Sequence, residues 1–162
     1  MGTRTEGRGS TSALYTPEQR KRRDETRWTL VQGVLAPLQF VVFLVSLVLV
    51  FRYLMTGEGY AIATASIVIK TGVLYTIMVT GAIWEKVVFG QYLLAPAFYW
   101  EDMFSFAVIA LHTLYILALF TGALSASALM ALALLAYAVY VVNAAQFLLK
   151  LRQARLQTEA VA

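Results

Sequence analysis

Three carboxylic acids and the only histidine of the chain lie in one largely apolar stretch, at Glu85, Glu101, Asp102 and His112. Carboxyl and imidazole groups donate and accept protons, and a carboxyl group held away from water favours its protonated form. These residue types therefore predict acid–base chemistry on an apolar substrate. They are equally compatible with the simple binding of a flat, lipid-soluble pigment or a quinone.

The spacing of these residues indicates a helix that carries them on one face. Glu101, Ser105, His112 and Tyr115 recur at the helical period, and the eleven residues from Glu101 to His112 make close to three turns, or about 16 Å. Because polar groups are costly in hydrocarbon, such stripes are expected to face one another. Three other apolar segments carry stripes of this kind: Gln32, Gln39 and Ser46; Thr71, Tyr75 and Glu85; and Tyr140, Asn143, Gln146 and Lys150.

The tryptophans indicate how deep each stripe lies. Trp28, Trp84 and Trp100 are expected to mark the cytoplasmic interface, where this residue type is enriched. The carboxylates then lie in the cytoplasmic half and His112 near mid-bilayer, so the stripes predict a polar-lined pocket that opens toward the cytoplasm with His112 at its floor. Lys70 falls in the outer half, where it is expected to snorkel or to pair with a tyrosine.

Four apolar segments would position these stripes. They cover about residues 29–54, 61–84, 102–122 and 126–149, each near the roughly 20 residues that a bilayer requires. The chain is 60% hydrophobic and only 14% charged, whereas soluble domains carry about 25% charged residues. Short turns at 56–59 and 121–127 make neighbouring helices antiparallel. We therefore predict an all-α fold, an integral membrane four-helix bundle.

Basic residues predict the orientation of the bundle. Seven of the 13 Lys and Arg residues lie in the first 27 positions and three more lie from Lys150 onward. By the positive-inside rule, both termini and the 85–101 loop face the cytoplasm. The part of this loop from 87 to 99 is apolar enough to lie in the headgroup interface or to dip into the bilayer. Because topology explains the basic charge, no nucleic-acid partner is expected.

The same patterns divide the chain into four parts. We predict a disordered tail at 1–13, a basic cytoplasmic helix at 14–27, a transmembrane domain at 28–150 and a cytoplasmic tail at 151–162. Thr16 and Gln19 form the capping box that would start the basic helix, with Pro17 at its first position. This helix is expected to contact anionic membrane lipid.

Several chemistries lack the residues that they need. The chain has no cysteine, which excludes disulfides, thiolate catalysis and iron–sulfur ligation. A single histidine excludes a haem held by two, and the Glu-x-x-His pairs of di-iron proteins do not occur. Phosphate-binding loops, dinucleotide motifs and the nucleophile elbow of hydrolases are also missing. We therefore expect no cofactor.

Three long stretches resemble one family closely: "YTPEQRKRRDETRWTLVQGVLAPLQFVVFLVSLVLVFRYL", "MVTGAIWEKVVFGQYLLAPAFYWEDMFSFAVIALHT" and "YVVNAAQFLLKLR". From about Tyr15 to Arg155 the chain is similar to the vinyl bacteriochlorophyllide hydratases of phototrophic bacteria. The resemblance implies addition of water to the C3 vinyl group of a chlorophyllide-type chlorin, which gives a 1-hydroxyethyl group on the route to bacteriochlorophyll a. It also implies a photosynthetic role in the bacterial inner (intracytoplasmic) membrane.

The chemistry of the reaction that this resemblance implies suggests roles for the polar residues. Glu101 is our first choice for the acid and Glu85 the second, Asp102 is the water-activating base, and His112 either ligates the magnesium of the substrate or acts as an acid–base partner. Arg27 or Lys86 would hold the substrate propionate. The other expected substrate contacts are Tyr115, Gln39, Gln32, Asn143, Trp84 and Trp100.

Two other functions fit the same residues. The first is a non-catalytic membrane carrier or assembly factor that delivers chlorins. For a carrier as for a hydratase, contact with other enzymes of pigment biosynthesis is expected. The second is a quinone-binding redox subunit, which would need a redox centre that the sequence does not supply. An enzyme converts many substrate molecules per chain, whereas a carrier binds pigment stoichiometrically and leaves it unchanged.

Overall fold

The computed structural model describes residues 13–160, which form five helices and no strand. The helices are α1 (Pro17–Glu25), α2 (Arg27–Thr56), α3 (Tyr60–Phe89), α4 (Tyr99–Thr121) and α5 (Ala126–Glu159). The last four are long and apolar enough to cross a membrane, and each contains or closely matches one predicted segment. The all-α class and the integral membrane bundle of four helices are therefore confirmed.

Two antiparallel hairpins make up the bundle. Helix α2 packs closely on α3 and α4 packs closely on α5, and the hairpins meet where α2 contacts α5 and α3 contacts α4. The first hairpin turns through Gly57 and Gly59, which both have a left-handed backbone with φ of 73° and 85°. That conformation suits glycine because it has no Cβ. The four helices thus form a ring in chain order.

The interior of the bundle is apolar and aromatic around a few polar groups. Phe43, Ile67, Tyr115 and Tyr137 belong to one buried cluster, which also contains small residues of α5 such as Ala133. Small side chains let helix backbones approach closely in a membrane. Many large apolar side chains point outward instead, among them Leu30, Val34, Val79, Leu117 and Phe120. An apolar exterior of this kind is suited to contact with lipid.

Helix α1 begins at the predicted capping box. Thr16 Oγ1 accepts the Gln19 backbone N–H at 3.2 Å, and Gln19 Oε1 accepts the Thr16 N–H at 2.9 Å. Tyr15 precedes the helix and stacks on Phe89, which fixes this end of the chain against α3. Burial raises the pKa of the Tyr15 hydroxyl, and the Arg23 guanidinium over its ring offsets part of that rise.

The predicted parts of the chain can be placed on these helices. The disordered tail at 1–13 lies, except for Ala13, outside the described residues. Helix α5 continues without a break past Lys150 to Glu159, so residues 151–159 are helical and Ala154 is buried near Tyr15. The division at 150 is therefore not a structural boundary within α5. The cytoplasmic location of either end stays a prediction.

Candidate functional site

The three carboxylic acids meet at one end of the bundle. Glu85 lies in the last turns of α3, and Glu101 and Asp102 lie in the first turn of α4. All three are buried, with 5%, 6% and 2% of their surfaces exposed. The carboxyl groups of Glu85 and Asp102 are close enough to interact directly, and Asp102 also interacts electrostatically with Glu101. We call these three residues the carboxyl cluster.

The loop between α3 and α4 closes over the carboxyl cluster. Its Leu94 N–H donates to Asp102 Oδ2 at 2.6 Å, and the next N–H, of Ala95, donates to Glu85 Oε2 at 3.3 Å. Leu94 is the only described non-glycine residue with a positive φ, 59°. This backbone turn aims two successive N–H groups at two carboxyl groups, so the loop and the cluster hold each other in place.

Glu101 is linked to α5 through both its side chain and its backbone. Its Oε1 lies 3.4 Å from Lys150 Nζ, whereas its Oε2 is buried without a hydrogen-bond partner. Its backbone carbonyl accepts from Asn143 Nδ2 at 2.8 Å and from Ser105 Oγ at 2.9 Å. Asn143 therefore anchors α5 to the start of α4, while one oxygen of the Glu101 carboxyl group stays free for another partner.

His112 lies in the middle of the bundle, away from the carboxyl cluster. It is 1% exposed. Its Nδ1 faces the Val108 carbonyl at 2.8 Å, which places the proton on Nδ1, and its Nε2 therefore accepts from Lys70 Nζ at 3.1 Å. Both ring nitrogens are thus engaged, and ligation of magnesium would require Lys70 to move away. The polar stripes had predicted that His112 forms the floor of an open pocket. In the structure the bundle instead encloses His112.

The two predictions for Lys70, snorkelling or pairing with a tyrosine, have different outcomes. Its side chain is fully buried, so the expectation that it snorkels to the membrane surface is wrong. Lys70 Nζ lies 4.2 Å from the centre of the Tyr140 ring and 5.0 Å from that of Tyr137. This cation–π arrangement agrees with the prediction that Lys70 pairs with a tyrosine. Lys70 and His112 form a polar pair inside the apolar bundle.

Two further predicted contact residues are buried and have polar atoms without partners. Gln39 is 2% exposed, and neither its amide nitrogen nor its amide oxygen makes a hydrogen bond. The Tyr115 hydroxyl is also buried without a partner. Buried polar atoms normally have hydrogen-bond partners, so these positions are suited to a bound water or to a polar atom of a substrate.

The remaining predicted contacts lie nearer the surface. Gln32 Nε2 donates to Thr80 at 2.7 Å, and Trp84 Nε1 donates to Thr29 at 2.9 Å, so both tie α2 to α3. The last three predicted contacts are exposed and do not reach the carboxyl cluster: Trp100, Arg27 and Lys86. The Lys86 amine caps the end of α3 by donating to the Gly90 carbonyl.

Sequence reasoning missed three contacts of the carboxyl cluster, one made by Lys150 and two made by backbone N–H groups. Lys150 appeared on the fourth polar stripe, but the spacing along one helix did not pair it with Glu101. The N–H groups of Leu94 and Ala95 had no signal in the sequence, because backbone donors are independent of residue type.

These observations define a class: a multi-pass helical membrane protein with a buried carboxyl cluster at one end of its bundle. The comparisons with known proteins agree. The family model described as 2-vinyl bacteriochlorophyllide hydratase matches residues 15–153, and the chain belongs to that family.

Two relatives named 2-vinyl bacteriochlorophyllide hydratase are similar over nearly the whole chain. The one from Cereibacter sphaeroides is 74% identical over 147 residues, which cover 91% of this chain and 91% of the relative. The one from Rhodobacter capsulatus is 72% identical over 148 residues, which cover 91% of this chain and 86% of the relative. No solved structure matches the chain.

Proposed function

We propose that this protein adds water to the C3 vinyl group of a chlorophyllide-type chlorin and forms a 1-hydroxyethyl group in bacteriochlorophyll biosynthesis. Membership of the hydratase family supports the reaction, and the buried carboxyl cluster supports its chemistry. Addition of water to an alkene neither oxidises nor reduces the substrate, so acids and bases are sufficient. The cluster supplies these groups at the end of an apolar bundle, where a lipid-soluble pigment is accessible.

The first step would transfer a proton to the terminal carbon of the vinyl group. The carbon attached to the macrocycle then carries a positive charge, which the conjugated ring delocalises. We assign the acid to Glu101, because its Oε2 is buried without a partner and is therefore free to face a substrate. Glu85 is the second candidate, although its carboxyl group already accepts the Ala95 N–H.

The second step would add water to the charged carbon. Asp102 is suited to act as the base, since it lies beside Glu101 at the end of the bundle, and the Leu94 N–H fixes the orientation of its carboxyl group. Asp102 removes one proton from the attacking water, and Glu101 has given one to the substrate. The proton returns from Asp102 to Glu101 through solvent, so the net reaction consumes one water.

The other predicted residues would hold the pigment. Gln39 and Tyr115, which lie deeper in the bundle, have unpartnered polar atoms for its edge, and Gln32, Asn143 and Trp84 lie nearer the end that carries the carboxyl cluster. Trp100, Arg27 and Lys86 would contact it only at the surface. For His112 the geometry favours a role as the hydrogen-bond partner of Lys70 over magnesium ligation. The prediction that no cofactor takes part remains unchanged.

The source of the added oxygen tests the reaction. Purified protein incubated without air in ¹⁸O-labelled water should convert a vinyl chlorophyllide to a product that carries the label, at many turnovers per chain. Mass spectrometry of the pigment measures both. Dependence on molecular oxygen would exclude a hydratase. Stoichiometric binding of unchanged pigment would instead indicate the carrier function.

We further propose that the protein lies in the inner (intracytoplasmic) membrane with both termini in the cytoplasm. The basic residues before Trp28 and from Lys150 onward support this orientation. A reporter fused after Ala162 should be cytoplasmic, and one inserted at Gly57, in the α2–α3 turn, should be external. An external C-terminus would place the carboxyl cluster on the opposite side of the membrane.

A further inference from the structure

Lys150 connects the carboxyl cluster with a cleft at the surface. Its Nζ lies 3.4 Å from Glu101 Oε1, and in residues 13–160 this is the only ion pair made by the cluster. The same lysine lines a cleft of about 380 Å³ between the residues before α1, the α3–α4 loop and the last turns of α5. The Lys150 side chain is 24% exposed, so a molecule in the cleft has access to it.

The lining of this cleft indicates what it would bind. Phe89, Pro96 and Ala97 form an apolar wall, and Lys150 is the only charged residue among those that line the cleft. The remaining polar groups are amides of Gln19, Gln153 and Gln157. The volume falls in the lower part of the range of small-molecule sites, roughly 300–1,000 Å³. An apolar group with one carboxylate arm matches this arrangement, because a lysine amine binds a carboxylate strongly.

The ion pair has a consequence for Glu101. A glutamate paired with a lysine is ionised and has no proton to give, yet an acid catalyst needs one. If another anion takes Lys150, Glu101 is left as a buried charge without a partner beside Asp102 and, beyond it, Glu85. An unpaired buried carboxylate next to other acids takes up a proton, since that removes both the desolvation cost and the repulsion.

We propose that Lys150 binds the propionate carboxylate of the substrate in this cleft and thereby releases Glu101 to become the proton donor. This inference rests on the proposed function. The exchange is balanced: the Lys150–Glu101 ion pair is replaced by a Lys150–propionate ion pair, and one proton moves from water to Glu101 for each pigment bound. Lys86 and Arg27, the basic residues that the sequence suggested for the propionate, do not line the cleft.

Binding of two pigments tests the proposed contact without any turnover. The probes are a chlorophyllide in which ethyl replaces the C3 vinyl group, with a free propionate, and the methyl ester of the same pigment. The detergent-solubilised protein should bind the free acid about tenfold or more tightly than the ester, the usual effect of a hydrogen bond to a charged group. Lys150→Met should bind both pigments as weakly as the wild type binds the ester.

Matched variants separate the charge of Lys150 from general effects on α5. Lys150→Arg should keep the preference for the free acid. Arg152→Met removes an exposed charge two residues further along the same helix and should keep it too. Lys150→Gln replaces Lys150→Met if the latter does not fold. Equal binding of acid and ester by the wild type, or a preference that survives the loss of Lys150, would overturn the inference.

Proton uptake tests the release of Glu101. In weakly buffered solution with a pH indicator, binding of the free acid to the wild type should remove one proton per pigment from solution. Lys150→Met and Glu101→Gln should show no uptake. Binding of the free acid without uptake by the wild type would refute the coupling.

The two proposals fail separately. A Lys150-dependent preference stands even if no hydration is observed. Hydration together with equal binding of acid and ester refutes only the role of Lys150.

Discussion

Glu101→Gln is expected to lower the turnover of vinyl chlorophyllide by about a hundredfold or more, the usual scale of general acid catalysis. Glutamine keeps the size of the side chain but has no carboxyl proton to transfer. The fold should tolerate the change, because Ser105 and Asn143 bind the backbone carbonyl of Glu101 and not its side chain. Steady-state kinetics measure turnover, and a titration with the non-reactive ethyl pigment should show that pigment still binds.

The control for this substitution is Glu58→Gln, which changes an exposed glutamate in the turn between α2 and α3 and should retain full activity. Full activity of Glu101→Gln would contradict the assignment of the acid. The acid would then be Glu85, and Glu85→Gln should abolish turnover. If both variants remained active, neither Glu101 nor Glu85 would be the acid, and the role of Glu85 would be to hold the loop through the Ala95 N–H.

The largest effect on stability is expected at the Lys70–His112 pair. His112→Phe leaves the buried Lys70 amine without an acceptor and should lower the free energy of unfolding by about 1–3 kcal/mol. Lys70→Met should be destabilising for the converse reason. The double variant replaces both polar groups by apolar ones of similar size, so it should recover most of the loss. Unfolding in detergent measures all three, and a double-mutant cycle gives the coupling energy.

Thr76→Val is the control on α3, because the Thr76 hydroxyl is exposed and bonds only within its own helix. It should change the free energy of unfolding by no more than about 0.5 kcal/mol. Simple additivity of the Lys70 and His112 substitutions would contradict the pairing.

Binding of the magnesium pigment, compared with that of its metal-free form, decides whether His112 ligates the substrate magnesium or only pairs with Lys70. His112→Ala should affect the binding of both equally, since neither ring nitrogen is free in this structure. A loss confined to the magnesium pigment would establish ligation.

The sequence by itself determined the bundle and the end of it that carries the acids. Hydrophobic length specified the four spans, and the glycines at 57, 59 and 122 specified where two hairpins turn, because a left-handed backbone suits glycine. Thr16 and Gln19 specified the start of α1 in the same local way. The polar stripes correctly indicated that the carboxylates and Asn143 are buried. Long motifs along the chain also identified the family.

The tertiary structure alone decided which polar groups meet. Lys70 was expected to snorkel or to pair with a tyrosine, and the sequence did not predict its contact with His112, 42 positions away along the chain. Lys150 on α5 pairs with Glu101 on α4. The α3–α4 loop directs the Leu94 N–H to Asp102 and the Ala95 N–H to Glu85. The helical period shows which face of a helix is buried, but it contains no information on how far one helix is shifted along its neighbour. That shift, set by packing of the whole bundle, decides which buried donors lie within hydrogen-bond distance of which acceptors.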